Sequence, residues 1–136
     1  MPMRWKLFRT SHGKVDEFCA GRRRQADADF VRDCGMDGKD DGARVAVAVR
    51  RAAARVGLVD PAFIHATDRY PDDLGVLPLW DSMDWVELIL RLEDELETEI
   101  ADRVAERLVD VRGFTIRELV EGVYTHVPRA GRAAAG

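Results

Sequence analysis

DSMDWVELILRLEDELETEIAD, running from Asp81 to Asp102, sets apolar and acidic residues in a helical rhythm. Trp85, Ile89, Leu92 and Leu96 recur at three- and four-residue intervals, with Val86 and Leu88 widening the stripe. One face of this helix therefore belongs in a core. Glu93, Asp94, Glu95, Glu97 and Glu99 follow it, and a charge run of that kind is most simply a solvated face. Ahead of the stripe, Asp81 suits an N-cap, Ser82 the first turn, and Asp84 the place from which a carboxylate reaches back to free amides. On spacing alone, a serine beside an aspartate at a helix start is most often a cap. Met83, Leu88 and Leu92 read as core residues.

Outward from this stretch, further helices are legible. Ala43 to Leu58 is strong helix material, with Val45, Val49, Ala52, Ala53 and Val56 on one stripe and Arg44, Arg51 and Arg55 off it. Asp40 or Asp41 can cap it and Gly57 can end it. Leu58 to Trp80 carries Pro61, Pro71, Gly75 and Pro78, so it cannot be one helix; a connection of that length is usually functional. A shorter helix is expected over Asp102 to Leu108 and a last one from Thr115 to about Tyr124, where Ile116, Leu119, Val120 and Val123 share a face. No segment shows the sustained alternation of a strand. The fold class is all-α, a four-helix bundle with a long first loop.

The bundle spans residues 40–127. Residues 1–39 form an N-terminal extension that can carry short helices around Val15, Phe18 and Cys19, then Phe30, Val31 and Cys34. The Ala-, Gly- and Arg-rich end, residues 128–136, is expected to be disordered.

Charge is unevenly spread. Met1 to Leu58 holds 13 basic and 8 acidic residues, whereas Val59 to Asp110 holds 4 basic and 15 acidic, within a net charge of −4. Such an acidic field repels nucleic acid and membrane headgroups and attracts basic protein surfaces. Arg22 to Arg24 are followed by Asp27, Asp29 and Asp33, a mixed surface rather than a nucleic-acid patch. No apolar run approaches the length of a membrane span, and no apolar stretch follows Arg4, Lys6 and Arg9. A soluble, cytoplasmic monomer is expected. Cys19 and Cys34 read as reduced thiols. His12, His65 and His126 are far apart, with no metal-ligand spacing, and no GxSxG surrounds Ser82.

The stretch Asp81 to Asp102 resembles the acyl carrier protein family. The family pattern, Asp-Ser-Leu-Asp, then a Val-Glu-Leu run, an acidic helix and a Glu-Ile-Pro-Asp close, lines up without a gap over these 22 positions. Weaker likeness extends upstream through Asp72, Asp73, Leu74 and Gly75 and downstream through Ala105 and Glu106. The resemblance implies an acyl-carrier-like bundle in which Ser82 receives 4′-phosphopantetheine from coenzyme A. The arm's thiol would then hold an acyl or aminoacyl group as a thioester, in fatty acid, polyketide or related metabolism. It also implies a protein that is not an enzyme itself. A phosphopantetheinyl transferase and acyl-processing enzymes would dock through basic patches on Asp81, Asp84, Glu87 and Glu93.

Three features depart from the family. Val76, Leu77, Pro78, Leu79 and Trp80 stand where it usually has one residue, Trp85 replaces a small residue, and Ala101 replaces the proline. The apolar insertion is expected to pack on the bundle, with Trp80 or Leu79 as its anchor. Two functions are open at this level. One is a carrier modified at Ser82; the other is an unmodified interaction module that uses the acidic helix and the insertion as its interface.

Overall fold

The helix Gly42–Gly57 (α2) keeps one polar stripe, Arg44, Arg51 and Arg55, and buries most of the rest: Val45, Ala46, Ala48, Val49, Ala52, Ala53, Ala54 and Val56 are all buried. A helix apolar around most of its circumference belongs inside, and α2 is the element the others surround. The computed structural model describes residues 13–77, 80, 85–108 and 112–127, and over these the chain is mostly helical. Against α2 lie Asp27–Asp33 (α1), Trp85–Leu96 (α3) and Ile116–His126 (α5), while Asp102–Leu108 (α4) packs on α5. Residues 13–19 are also helical.

Each helix presents its apolar stripe to one shared core. Leu88, Leu92 and Leu96 come from α3, and Ile116, Leu119, Val120 and Val123 from α5. Helix α5 begins with a capping box: Thr115 Oγ1 accepts the Glu118 N–H at 3.1 Å and the Glu118 carboxylate accepts the Thr115 N–H at 2.9 Å. Those two bonds satisfy donors that a helix start otherwise leaves free.

Over its described residues, the connection from Leu58 to Trp80 is tied down. It contains 3₁₀ turns at Pro61–Phe63 and Leu74–Val76 and a short strand, Arg69–Tyr70 (β1). β1 pairs antiparallel with Phe114–Thr115 (β2), Tyr70 opposite Phe114. No alternation in the sequence signals this pair, because two residues are too few to show a period. The insertion also packs: Leu77 and Trp80 are fully buried, and the Trp80 indole N–H donates to the Ala53 carbonyl at 3.1 Å. Val76, by contrast, is exposed. Gly57 makes that packing possible, since a Cβ there would stand 2.6 Å from Leu77 Cδ1 and 3.3 Å from Trp80 Cδ1. It is still helical; the left-handed residue that stops α2 is Leu58, at φ 58°. Gly57 thus serves close approach rather than termination.

The core does not break at residue 39. Phe18, Phe30, Val31, Cys34 and Met36 are buried in the same cluster as α2. Arg50 of α2, 1% exposed, binds this layer to the first connection. Its guanidinium donates to the carbonyls of Ile64 at 3.0 Å, Ala62 at 3.0 Å and Gln25 at 2.9 Å, and to Asp27 at 2.8 Å. Arg22 adds a bond to buried Asp68 at 2.9 Å. Among the described residues no helix is long and apolar enough to cross a membrane. Pro78, Leu79 and the tail 128–136 lie outside the described residues.

Candidate functional site

Helix α3 carries three kinds of side chain on three sides. Leu88, Leu92 and Leu96 point inward with no exposure, and Trp85 and Ile89 are half-buried. Val86 is 62% and Leu90 51% exposed. Val86 therefore does not widen the buried stripe: at about 100° per residue it lies roughly 160° around the helix from Leu88. Leu90 falls on that same outer side by the same geometry.

Beside this outer face runs a groove of about 580 Å³. Trp85, Val86, Ile89 and Leu90 form one wall, and Ile100 and Ala105 contribute to the other. Glu93, Asp102 and Glu106 also line it, so an apolar floor meets a carboxylate rim.

The acidic run divides into groups with different partners. The Glu87 carboxylate pairs with Arg91 at 2.7 Å, one turn along α3. Glu93 accepts the Ile100 N–H at 2.7 Å and so holds the turn leading to α4. Asp94, Glu95 and Glu97 face α2, at 3.9 and 3.4 Å from Arg55 and 4.0 Å from Arg44. The pairs through exposed Asp94 and Glu97 contribute little stability. The run is therefore only partly a solvated face.

Of the residues expected to carry function, Asp81, Ser82 and Asp84 lie outside the described residues, as does Met83. Glu93 lines the groove, and Glu87 sits on α3 beside Arg91. Their described neighbours Trp80 and Trp85 meet in one aromatic cluster with Tyr70 and Phe114. Tyr70 and Phe114 had no sequence signal, because strand pairing across 44 positions brings them together. Val86 and Leu90 did have one: their four-residue spacing lies off the Leu88, Leu92 and Leu96 register.

Both thiols are free. Burial pushes Cys34 up to about 12 and raises Cys19 as well, so neither has the character of an activated nucleophile. Among the described residues no group of His, Cys, Asp or Glu is gathered as a metal site. No family model matches the chain, and no solved structure matches it.

Proposed function

We propose that this protein is an acyl-carrier-type protein whose Ser82 bears 4′-phosphopantetheine. The observation that carries the proposal is the ungapped run from Asp81 to Asp102, in which an Asp-Ser-Met-Asp start leads into an amphipathic acidic helix. In the transfer, the Ser82 oxygen bonds to the phosphorus that bears pantetheine and the pyrophosphate P–O bond of coenzyme A breaks. The hydroxyl proton passes to a base of the transferase, and 3′,5′-adenosine diphosphate leaves. The arm's thiol then exchanges acyl or aminoacyl groups as thioesters, and the carrier performs none of that chemistry itself.

Several features support this reading. Ser82 stands three residues ahead of Trp85, the first described residue of α3, and a phosphodiester placed at a helix N-terminus would gain from the helix dipole. The mostly helical chain, with a long connection between α2 and α3, is compatible with the helix order of a carrier-type bundle. Residues 13–39 then add a layer outside that plan. The groove offers an apolar floor with Glu93, Asp102 and Glu106 around it. With Asp81, Asp84 and Glu87, these carboxylates would meet a partner enzyme's basic patch, chiefly raising association rates and fixing orientation.

A second reading, an unmodified interaction module, draws on the exposure of Val86 and Leu90, since an apolar face can dock without an arm. Incubation with a fluorescent coenzyme A analogue and a broad-specificity phosphopantetheinyl transferase separates the two. Wild type takes one label and Ser82→Ala none if the protein is a carrier. Failure to label wild type with several transferases favours the interaction module, and label on Ser82→Ala moves the site elsewhere.

A further inference from the structure

We infer that Glu93 is a positioning residue for partner docking: its carboxylate sets the groove between α3 and α4 by holding the turn at Ile100, and it acts there as a hydrogen-bond acceptor rather than as a charge. This rests on the carrier function proposed above, with the phosphopantetheinyl transferase as the partner. Glu93 binds the turn after α3 at two points. Its backbone carbonyl accepts the Thr98 N–H at 3.2 Å, and its carboxylate accepts the Ile100 N–H at 2.7 Å.

The two walls of the groove rest on different supports, since α3 packs on α2 whereas α4 packs on α5. The turn after Leu96 joins them, and in it Glu97 lies in the left-handed region at φ 52°. That conformation is unfavourable for a residue with a Cβ, so the turn depends on bonds from outside itself. Ile100 is 6% exposed, lines the groove and stands two residues before α4. The Ala101 carbonyl then accepts the Val104 and Ala105 N–H groups at 2.9 Å each, which opens α4. The Glu93 carboxylate therefore fixes the chain one residue ahead of the carbonyl from which α4 starts.

Release of Ile100 would let the far wall of the groove shift against Val86 and Leu90, which stand on α3. A surface held in its bound shape docks without first losing conformational freedom. The bond to Ile100 needs an oxygen acceptor, which a glutamine amide supplies as well as a carboxylate does. A rim charge, by contrast, acts through a field that salt screens. The two roles therefore separate by substitution and by ionic strength.

The test is steady-state transferase kinetics with the full chain as the varied substrate and coenzyme A saturating, at low salt and at about 0.5 M salt. Glu93→Ala removes the acceptor; Glu93→Gln keeps an acceptor and removes the charge. Glu93→Ala is expected to raise KM about tenfold over wild type at both salt concentrations while kcat stays within about twofold, and Glu93→Gln to stay within about twofold of wild type. Protection of the Ile100 amide against hydrogen exchange should fall in Glu93→Ala and persist in Glu93→Gln. Should Glu93→Ala fail to fold, Glu93→Met, which keeps the aliphatic stem without the oxygens, carries the same expectations. Wild-type KM in the folded variant overturns the inference. So does a rise in Glu93→Gln equal to that in Glu93→Ala, or a rise that vanishes at high salt, since either makes Glu93 a docking charge. Wild type that is never modified fails the carrier function itself and the inference with it, a result distinguishable because no variant is needed to see it.

Discussion

Arg50 occupies a position in α2 that an apolar side chain could fill, and its worth lies in the carbonyls it serves. Removing the guanidinium leaves the carbonyls of Gln25, Ala62 and Ile64 without this donor and Asp27 without its ion pair. Arg50→Met is expected to lose about 2–4 kcal/mol of stability in chemical denaturation; a variant as stable as wild type would show that water or other donors replace it. This role was not legible in the sequence. Arg44, Arg51 and Arg55 could be placed off the apolar stripe by spacing, but the partners of Arg50 are backbone groups 12 to 25 positions away that only the folded connection brings near. The thiols give a second test at this scale. Cys34 is fully buried with its thiol pushed up to about 12, whereas Cys19 is only half-buried. Iodoacetamide at pH 8 should therefore modify Cys19 well before Cys34, as peptide mass spectrometry would read; comparable rates would contradict the burial of Cys34.

Among the elements, α3 was the most legible, because a period of 3.6 residues over twelve positions leaves little choice of the inward face. The sequence also marked α4 and α5, and the apolar character of Val76 to Trp80 gave the packing of Trp80. Apolar character alone placed Val86 on the buried stripe; its spacing from Leu88 and Leu92 is the signal that puts it on the outer side with Leu90. Trp80→Ala should cost about 3–5 kcal/mol, lowering the melting temperature clearly, because it empties a filled site and removes the indole bond to the Ala53 carbonyl. Retained stability would place that ring outside the core. Val86→Asp together with Leu90→Asp should leave the melting temperature within about 2 °C, since both side chains already face solvent. The same pair should raise KM with the transferase if the groove is a docking face; unchanged kinetics would make the two residues bystanders.

At the scale of the molecule, the front and middle of the chain are one core joined by ion pairs and hydrogen bonds. The Gly- and Asp-rich stretch from Gly35 to Gly42 lies where the extension meets the bundle, yet Met36 is buried and Gly42 lies so close to it that a Cβ would stand 2.2 Å from the Met36 carbonyl oxygen. A chain that starts at Asp40 exposes the faces of α2 that Phe30, Cys34 and Met36 cover, and it should show no cooperative thermal transition by circular dichroism. A cooperative transition at the wild-type midpoint would make residues 1–39 dispensable. Beside α3, the groove joins an apolar face to the carboxylates of Glu93, Asp102 and Glu106. That face is useful to a carrier only if Ser82 bears its arm. Intact-mass measurement of the full chain after incubation with coenzyme A and a broad-specificity transferase tests this most directly. The expected result is a gain of one phosphopantetheinyl group that Ser82→Ala abolishes without loss of helical signal; an unchanged mass in wild type, or an equal gain in Ser82→Ala, would contradict it.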